Sequence, residues 1–417
     1  MKVRSVSTDT RKISKDTIFF ALKGDNFNGN TFALKALELG ASMVVVDEEL
    51  NTQDERVVRV DDVLTSLQAL SARYRQTLKI PFLAITGSNG KTTTKELLRD
   101  VLLKKFRVTA TVGNLNNHIG VPLTILSIPS DCEFAIIEMG ANHQGEIRSY
   151  CQYAAPDFGM ITNMGKAHLE GFGGEEGVVK GKKELYDYIN ATGGRSFVNV
   201  ELEKLKAASE GMNIILYGFQ SVGMKLSLIS ESPVVKYSYE DADFSGQFIT
   251  QLAGAYNLYN ITSAIAVGKY FGVPASDIHQ AICDYSPDNN RSQLIQTKRN
   301  LLIMDAYNAN PSSLEFALKS LANQDNAKKF FVIGDMLELG EAGPEEHRNI
   351  LRIANQLSLS GVTVGPIFKS IADQSQLSSF SDNKEAMDYL LSENLEGYVI
   401  LVKGSRGIKL EEVVTAL

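Results

Sequence analysis

The 417-residue sequence has little of what marks secreted, membrane-bound or nucleic-acid-binding proteins. Its 3 cysteines, Cys132, Cys151 and Cys283, fit neither a metal site nor a disulfide framework. No apolar run approaches the ~20 residues that a membrane helix needs, and the first residues lack the apolar core of a signal peptide. The net charge is −7, without the basic excess of a general nucleic-acid binder. We therefore expect a cytosolic protein that neither inserts into membranes nor binds nucleic acid.

The remaining composition is that of a globular protein. Hydrophobic residues make up 44% and charged residues 22%, which excludes a disordered or low-complexity chain. The length predicts about three domains. The most notable feature of the composition is the number of glycines, 33, compared with 10 prolines. We expect the positions of these glycines to matter more than their number.

Short apolar runs alternate with helix-like stretches, which predicts an α/β fold with a mainly parallel central sheet. The predicted strands are 82–86, 134–138, 159–162, 301–305, 330–333 and 398–402, and the predicted helices are 66–77, 92–104, 312–322 and 344–356. Residues 234–252 alternate in places and predict added antiparallel strands. Breaks near 79–81 and 286–290 divide the chain into residues 1–78, 79–286 and 287–417.

The strongest local motif is a glycine-rich loop between a predicted strand and a predicted helix. It reads Gly87, Ser88, Asn89, Gly90, Lys91, Thr92, Thr93. Such a loop directs backbone N–H groups at phosphate oxygens, and the helix N-terminus adds positive potential. Lys91 would reach the β- and γ-phosphates, and the Thr92 hydroxyl would hold Mg²⁺. The alternative is a turn that only caps a helix.

Polar residues also follow other apolar strands, at the sheet edge where ligands bind in α/β folds. Glu138 ends one strand and is a candidate Mg²⁺ ligand or a capping acid. His168 follows the next strand and is a candidate metal ligand or a core histidine. Lys182 lies in a lysine cluster that, taken alone, indicates a solvated helix face.

Further candidates carry weaker signals. Asn257 and Asn260 lie three apart on a predicted helix and could read an adenine edge or make core contacts. Asp305 could accept from ribose hydroxyls and Arg291 could contact phosphate. The turn from Lys403 to Arg406 could hold a carboxylate or be an ordinary surface turn.

Together these residues resemble the Mur ligase family, ATP-dependent amide ligases of peptidoglycan precursor synthesis. The short loop at 87–93 is similar to the version in that family. The resemblance extends in order from about residue 7 to 412 and includes the blocks 113–117, 120–122, 138–142, 145–147, 167–173, 307–311, 334–340 and 403–406.

The resemblance implies three domains: an N-terminal UDP-sugar domain (1–78), a central P-loop ATPase domain (79–286) and a C-terminal Rossmann-like domain (287–417). It implies ATP contacts by the loop, Asn257, Asn260, Arg291 and Asp305, and two Mg²⁺ ions held by Thr92, Glu138 and His168. Lys182 lies where relatives carry a carbamylated lysine, and the resemblance implies that it belongs to the catalytic residues, with Lys91, Glu138 and His168, and holds Mg²⁺ when carbamylated. One departure is Tyr256, where relatives often have histidine, and it affects how adenine would pack.

The resemblance also implies the substrates. The blocks are most similar to the branch that joins D-alanyl-D-alanine to UDP-N-acetylmuramoyl-tripeptide, and we expect a monomer. The implied substrate-binding residues are Thr10, Arg11, Asp25, Asn26, Phe27, Asn114, Asn116, Asn117, Asn142, Asn308, Asn310, Lys403 and Arg406. Two alternatives stay open: a sister ligase with another amine substrate, including the folylpolyglutamate type, and a P-loop regulator without ligase chemistry.

Overall fold

The computed structural model describes residues 5–221, 223–371 and 377–417. The N-terminal unit contains a parallel sheet in the order β1-β2-β5-β6 and a small hairpin, β3-β4. Its strands are β1 Ser5–Ser7, β2 Thr17–Phe20, β3 Lys23–Gly24, β4 Phe27–Asn28, β5 Ala41–Val46 and β6 Val57–Arg59, and its helices are α1 Ala33–Glu38 and α2 Val63–Thr77. Asp62 caps α2 by accepting from the Thr65 N–H, which starts this helix three residues earlier than the sequence predicted.

The central unit has a six-stranded parallel sheet in the order β12-β11-β10-β7-β9-β8. The strands are β7 Phe82–Thr86, β8 Val108–Ala110, β9 Phe134–Glu138, β10 Phe158–Ile161, β11 Arg195–Asn199 and β12 Ile214–Tyr217. The helices are α3 Lys91–Leu103, α4 Gly120–Leu126, α5 Glu146–Ala154, α6 Leu169–Phe172, α7 Glu175–Ala191 and α8 Glu203–Ala208. Every residue of β7 and of β9 is buried, as expected for strands covered by helices on both faces.

A second, antiparallel sheet joins the central unit, as the alternation in 234–252 predicted. Its order is β13-β14-β15-β16, and two helices follow it. The elements are β13 Gln220–Ser221, β14 Met224–Ser230, β15 Lys236–Glu240, β16 Ser245–Ile249, α9 Asn257–Tyr270 and α10 Ala275–Asp284. Helix α9 packs against α3, so the predicted adenine-contacting residues come to lie beside the glycine-rich loop.

The C-terminal unit has a six-stranded sheet in the order β17-β18-β22-β19-β20-β21, in which only the pairing of β17 with β18 is antiparallel. The strands are β17 Gln293–Gln296, β18 Leu301–Met304, β19 Lys329–Gly334, β20 Ser360–Val364, β21 Ser378–Phe380 and β22 Val399–Lys403. The helices are α11 Pro311–Ala322, α12 Gly343–Gln356, α13 Pro366–Ser370 and α14 Asn383–Glu393. The chain closes with 3-10 helices at Arg406–Ile408 and Leu410–Ala416.

The predicted α/β class and the mainly parallel sheets are confirmed. The strand predicted at 159–162 is shifted by one residue relative to β10, and the strand predicted at 301–305 is one residue too long, because Thr162 and Asp305 lie just beyond the ends of β10 and β18. Within the described part of the chain, no helix is both long and apolar enough to cross a membrane.

Candidate active site

A cavity of about 830 Å³ lies between the central and C-terminal units. Its central wall contains the glycine-rich loop, the end of β9 and the start of α9, and its C-terminal wall contains the loops after β18 and β19. Of the predicted residues, the cavity is lined by Ser88, Asn89, Gly90, Lys91, Thr92, Thr93, Asn114, Asn116, Asn117, Glu138, Asn142, His168, Asn257, Asn260, Arg291, Asp305, Asn308, Asn310 and Lys403.

The glycine-rich loop has the backbone that a phosphate site requires. Gly87 has φ +145° and Gly90 has φ +78°, both in the region that favours glycine. A Cβ on Gly87 would collide with the Thr162 hydroxyl, and one on Gly90 would lie 2.5 Å from Oδ1 of Asn260. Because α3 begins at Lys91, its first-turn N–H groups have no partners within the helix and point toward the cavity end of the loop.

Lys91 folds back onto this loop. Its ammonium donates to the carbonyl of Gly87 at 2.6 Å and to that of Ser88 at 3.2 Å. Burial lowers its pKa to about 8, with Glu138 opposing the shift and Arg291 adding to it. An anionic ligand beside the amine would stabilise the charged form.

Glu138 lies at the end of β9 and is 1% exposed. Its Oε1 accepts from the Thr92 hydroxyl at 3.2 Å and from the Asn116 amide at 2.8 Å. Its Oε2 is buried and has no hydrogen-bond partner among the described residues. A buried carboxylate oxygen without a donor is costly, so a cation fits this position.

His168 and Lys182 are held differently from Glu138. The Nδ1 of His168 lies 2.5 Å from Oε2 of Glu338, which belongs to the C-terminal unit. Lys182 is 1% exposed and lies behind the cavity wall, where its amine donates to the Ala141 carbonyl at 3.4 Å and lies 5.0 Å from the centre of the Phe172 ring. Burial, reinforced by the charge of Lys91, lowers the pKa of Lys182 well below its usual value.

The solvated helix face considered for Lys182 is therefore wrong, because this side chain is enclosed by the fold. Within the described residues, no group of three or more His, Cys, Asp or Glu side chains is placed to hold a metal. The predicted Mg²⁺ ligands do not conflict with this result, because only two of them, Glu138 and His168, are His, Cys, Asp or Glu residues.

Asn257 and Asn260 are joined by a hydrogen bond of 2.8 Å between Asn260 Nδ2 and Asn257 Oδ1. Asn260 accepts from the Thr94 hydroxyl at 3.0 Å, and Asn257 donates to the Ser292 hydroxyl at 3.0 Å. Ser292 also accepts or donates in a 2.9 Å bond with Tyr256. The pair thus connects α3, α9 and the start of the C-terminal unit at one side of the cavity.

Arg291, Asp305 and Lys403 lie next to this asparagine pair, because the Ser292 N–H donates to Asp305 at 3.3 Å. The guanidinium of Arg291 lies 3.7 Å from the centre of the Tyr307 ring. Lys403 is 2% exposed, and its ammonium donates to Asp305 at 2.6 Å and to the Asn308 carbonyl at 3.1 Å. Lys403 is therefore neutralised by Asp305 in this structure. Arg406 lies outside the cavity lining and pairs with Glu411 at 3.5 Å.

The structure does not bring the N-terminal candidates to this cavity. Arg11 pairs with Asp9 at 2.9 Å, which lowers the pKa of that aspartate to about 2. The β3-β4 hairpin carries the exposed residues Asp25, Asn26 and Phe27, and the ring of Phe27 stacks on Phe32 at 5.6 Å. Thr10 lies in a 3-10 turn at Thr10–Lys12. Thr10, Arg11, Asp25, Asn26 and Phe27 thus belong to the N-terminal unit and are not part of the cavity lining.

The three units correspond in sequence to known families of domains. Residues 2–76 match the model described as "Mur ligase family, catalytic domain", residues 85–268 match "Mur ligase middle domain", and residues 290–406 match "Mur ligase, glutamate ligase domain". A relative from Bacillus subtilis (strain 168), named UDP-N-acetylmuramoyl-tripeptide--D-alanyl-D-alanine ligase, is 34% identical, with 100% of this chain and 93% of the relative covered. The chain belongs to the Mur ligase family.

Other Mur ligases agree with this assignment. The Escherichia coli (strain K12) protein of the same name is 31% identical, with 99% of this chain and 93% of that protein covered. The crystal structure of MurF from Acinetobacter baumannii superposes with a TM-score of 0.89 at 29% identity, covering 99% of this chain and 93% of that one. MurF ligase from Thermotoga maritima in complex with ADP gives a TM-score of 0.88 at 26% identity, covering 100% and 98%.

Sequence reasoning missed several residues of this Mur ligase's cavity. Asn163 holds the glycine-rich loop by accepting from the Asn89 N–H at 3.1 Å and donating to the Asn89 carbonyl at 3.0 Å. Glu338 faces His168 from the other unit. The turn that carries Glu338 follows an apolar strand, as the turns at Glu138 and Asp305 do, and that position was the available signal.

Proposed function

We propose that this chain is an ATP-dependent ligase that joins D-alanyl-D-alanine to UDP-N-acetylmuramoyl-tripeptide, releasing ADP and phosphate. The observation that carries the proposal is the meeting of Lys91, Thr92 and the buried Glu138 in one cavity whose far wall is the C-terminal unit. The activity named for the full-length relatives specifies the substrates.

The reaction has two steps. The C-terminal carboxylate of the tripeptide attacks the γ-phosphorus of ATP, so that the bond to the β-phosphate oxygen breaks and an acyl phosphate and ADP form. The amine of D-alanyl-D-alanine then attacks the acyl carbon, phosphate leaves with the bonding electrons, and the amine loses a proton. This chain supplies positioning and charge stabilisation.

The loop residues have distinct parts in the first step. The N–H groups of the first turn of α3 receive phosphate oxygens. When ATP is bound, Lys91 exchanges the carbonyls of Gly87 and Ser88 for phosphate oxygens, because a charged acceptor makes the stronger hydrogen bond. Asn257 and Asn260 face adenine, and Asp305, which is connected to Asn257 through Ser292, faces the adjoining ribose.

The donor set fits a divalent cation. Glu138 and Thr92 would hold Mg²⁺ at the phosphates, since Oε2 of Glu138 is buried without a donor among the described residues. His168 would hold a second ion. When bound there, Mg²⁺ offsets the negative charge that gathers as the two anions meet.

We also propose that Lys182 is carbamylated in the active enzyme. Its amine is buried and has a lowered pKa, so the neutral form that attacks carbon dioxide is accessible. The amine nitrogen bonds to the carbon of CO₂ and one proton leaves, which turns the side chain into an anion. Carbon-13 NMR with labelled bicarbonate should show a carbamate resonance in the wild type that is absent from K182A.

The function is tested by an ADP-release assay with UDP-N-acetylmuramoyl-tripeptide, ATP, Mg²⁺ and a panel of amines. We expect release that requires both the nucleotide substrate and D-alanyl-D-alanine, with the pentapeptide product seen by mass spectrometry. Release stimulated by a single amino acid would instead identify a sister ligase. ATP hydrolysis that ignores both substrates would identify a regulator.

A further inference from the structure

The carboxylate of Glu338 lies against His168 across the boundary between two units. Its Oε2 is 2.5 Å from Nδ1 of His168, and both residues line the cavity. A neutral imidazole has one N–H donor and one lone-pair nitrogen, and a carboxylate accepts only from the donor. Nδ1 is buried and forms no well-aligned hydrogen bond to the described residues, and Glu338 is the acceptor that lies against it. A proton on Nδ1 would therefore be shared with Glu338 and would leave the lone pair on Nε2.

We propose that Glu338 is a positioning residue that fixes the tautomer and orientation of His168, so that Nε2 is presented to a divalent cation in the cavity. The inference rests on the proposed function, which takes His168 as a metal ligand. The role proposed for Glu338 is exercised through His168 and requires no contact with the reacting atoms. Histidine ligands in proteins are commonly held by such a carboxylate on their other nitrogen.

The backbone conformations of His168 and Glu338 are both unusual. His168 has φ +52° and Glu338 has φ +63°, conformations that residues other than glycine rarely adopt. The Glu170 N–H donates to the carbonyl of Glu338 at 3.4 Å, so the two turns lie against each other. Backbone strain of this kind is concentrated at functional sites. Its presence at both residues of one contact therefore indicates that the contact between His168 and Glu338 has a function.

The turn that carries Glu338 is anchored within its own unit. The Met336 N–H donates to Nε2 of the buried His347 at 3.0 Å, and the Leu337 N–H donates to the Ser405 hydroxyl at 2.9 Å. These two bonds fix the turn that carries Glu338 to the rest of the C-terminal unit. His168 belongs to the central unit, so its orientation depends on the two units being together.

The contact between Glu338 and His168 is not explained by a contribution to folding stability. The Glu338 side chain is 53% exposed and that of His168 is 19% exposed. Ion pairs with this much solvent contact contribute little to folding. Lys166 and Glu346, 2.6 Å apart, already form an ion pair across the same boundary, which makes Glu346 a matched control.

The test uses the full chain with ADP and Mn²⁺ as a paramagnetic probe for the cation. Electron spin-echo spectroscopy detects nitrogen-14 coupling when an imidazole ligates Mn²⁺, and an EPR titration gives the Mn²⁺ affinity. We expect nitrogen coupling in the wild type and in E346A. In E338A the coupling should be lost and the Mn²⁺ affinity should fall about tenfold or more. E338Q should retain part of both, because its amide oxygen still accepts from Nδ1–H.

Two results would overturn the inference: wild-type protein without nitrogen coupling, or E338A with the coupling and affinity of E346A. Thermal melting of the variants identifies any that fail to fold, and E338Q then carries the test. Product formation by the same wild-type preparation is measured separately. If the wild type makes pentapeptide but shows no nitrogen coupling, the positioning role fails while the proposed function stands. If it makes no product with any amine, the proposed function fails.

Discussion

Asn310 joins the C-terminal unit to the glycine-rich loop by donating from Nδ2 to Oδ1 of Asn89 at 2.7 Å. The same side chain caps α11, because its Oδ1 accepts from the Ser313 N–H at 2.9 Å. One amide thus connects the start of α11 to the segment that precedes Lys91. A movement of the C-terminal unit would therefore shift or break this bond and so alter the glycine-rich loop.

Two substitutions separate the two roles of Asn310. Serine retains a capping oxygen but is too short to reach Asn89, whereas alanine removes both functions. We expect N310S to keep its melting temperature while kcat/KM for ATP falls about 2- to 12-fold, the worth of one hydrogen bond. N310A should show the same kinetic loss and be destabilised by about 1 kcal/mol through the lost cap.

Steady-state kinetics and thermal melting check this prediction. An N310S enzyme with wild-type kcat/KM would show that the bond to Asn89 has no part in the reaction. The resemblance to the Mur ligase family implied only that Asn310 is a substrate-binding residue. Its bond to the phosphate loop gives it a second role, which no local pattern indicates.

How far the sequence predicts the structure depends on whether a feature is local. Strands β7 and β9 have the predicted ends, because an apolar run bounded by polar residues determines them. Strand β17 was missed, since Gln293–Gln296 is short and polar and becomes a strand only by pairing with β18. Glu338 was missed as a site residue for a similar reason: its partner, His168, lies on another unit far along the chain.

Replacement of Lys91 by alanine should abolish ligation. Lys91 is the cation of the glycine-rich loop that is predicted to reach the β- and γ-phosphates, and loss of one such donor lowers kcat by about a hundredfold or more. K104A is the matched control, since Lys104 is an exposed lysine that caps the other end of the same helix. The ADP-release assay with saturating substrates compares the two variants. Near-normal product formation by K91A would remove Lys91 from the mechanism.

Glu138→Gln removes the negative charge at the proposed cation site while it keeps the size and shape of the side chain. The amide keeps an oxygen for Thr92 and Asn116 but carries no charge at the atom that lacks a partner among the described residues. We expect the apparent Mg²⁺ affinity to fall at least about tenfold, with a lower kcat at saturating Mg²⁺. D131N serves as the control, because Asp131 is an exposed acid shortly before the same strand. An unchanged Mg²⁺ dependence in E138Q would exclude Glu138 as a ligand.

The last prediction concerns stability toward acid and the buried His279. Its ring stacks on Phe248 at 4.1 Å, and its Nδ1 is 2.8 Å from the Tyr237 hydroxyl. Burial lowers its pKa from 6.5 to about 4, so between these values the unfolded chain binds a proton that the folded chain does not. Stability from this group is therefore complete above pH 6.5 and is lost as the pH falls through 4, by about 3 kcal/mol in all.

Urea unfolding between pH 4 and 7 measures this loss. H279F should fill the aromatic stack and lose the Tyr237 bond, so we expect a lower free energy of unfolding at pH 7 but a shallower decline toward pH 4. H143A is the control, because His143 has a 66% exposed side chain and should leave the slope unchanged. If H279F declines as steeply as the wild type, the acid sensitivity must come from other groups, and burial of the neutral ring at position 279 is not its cause.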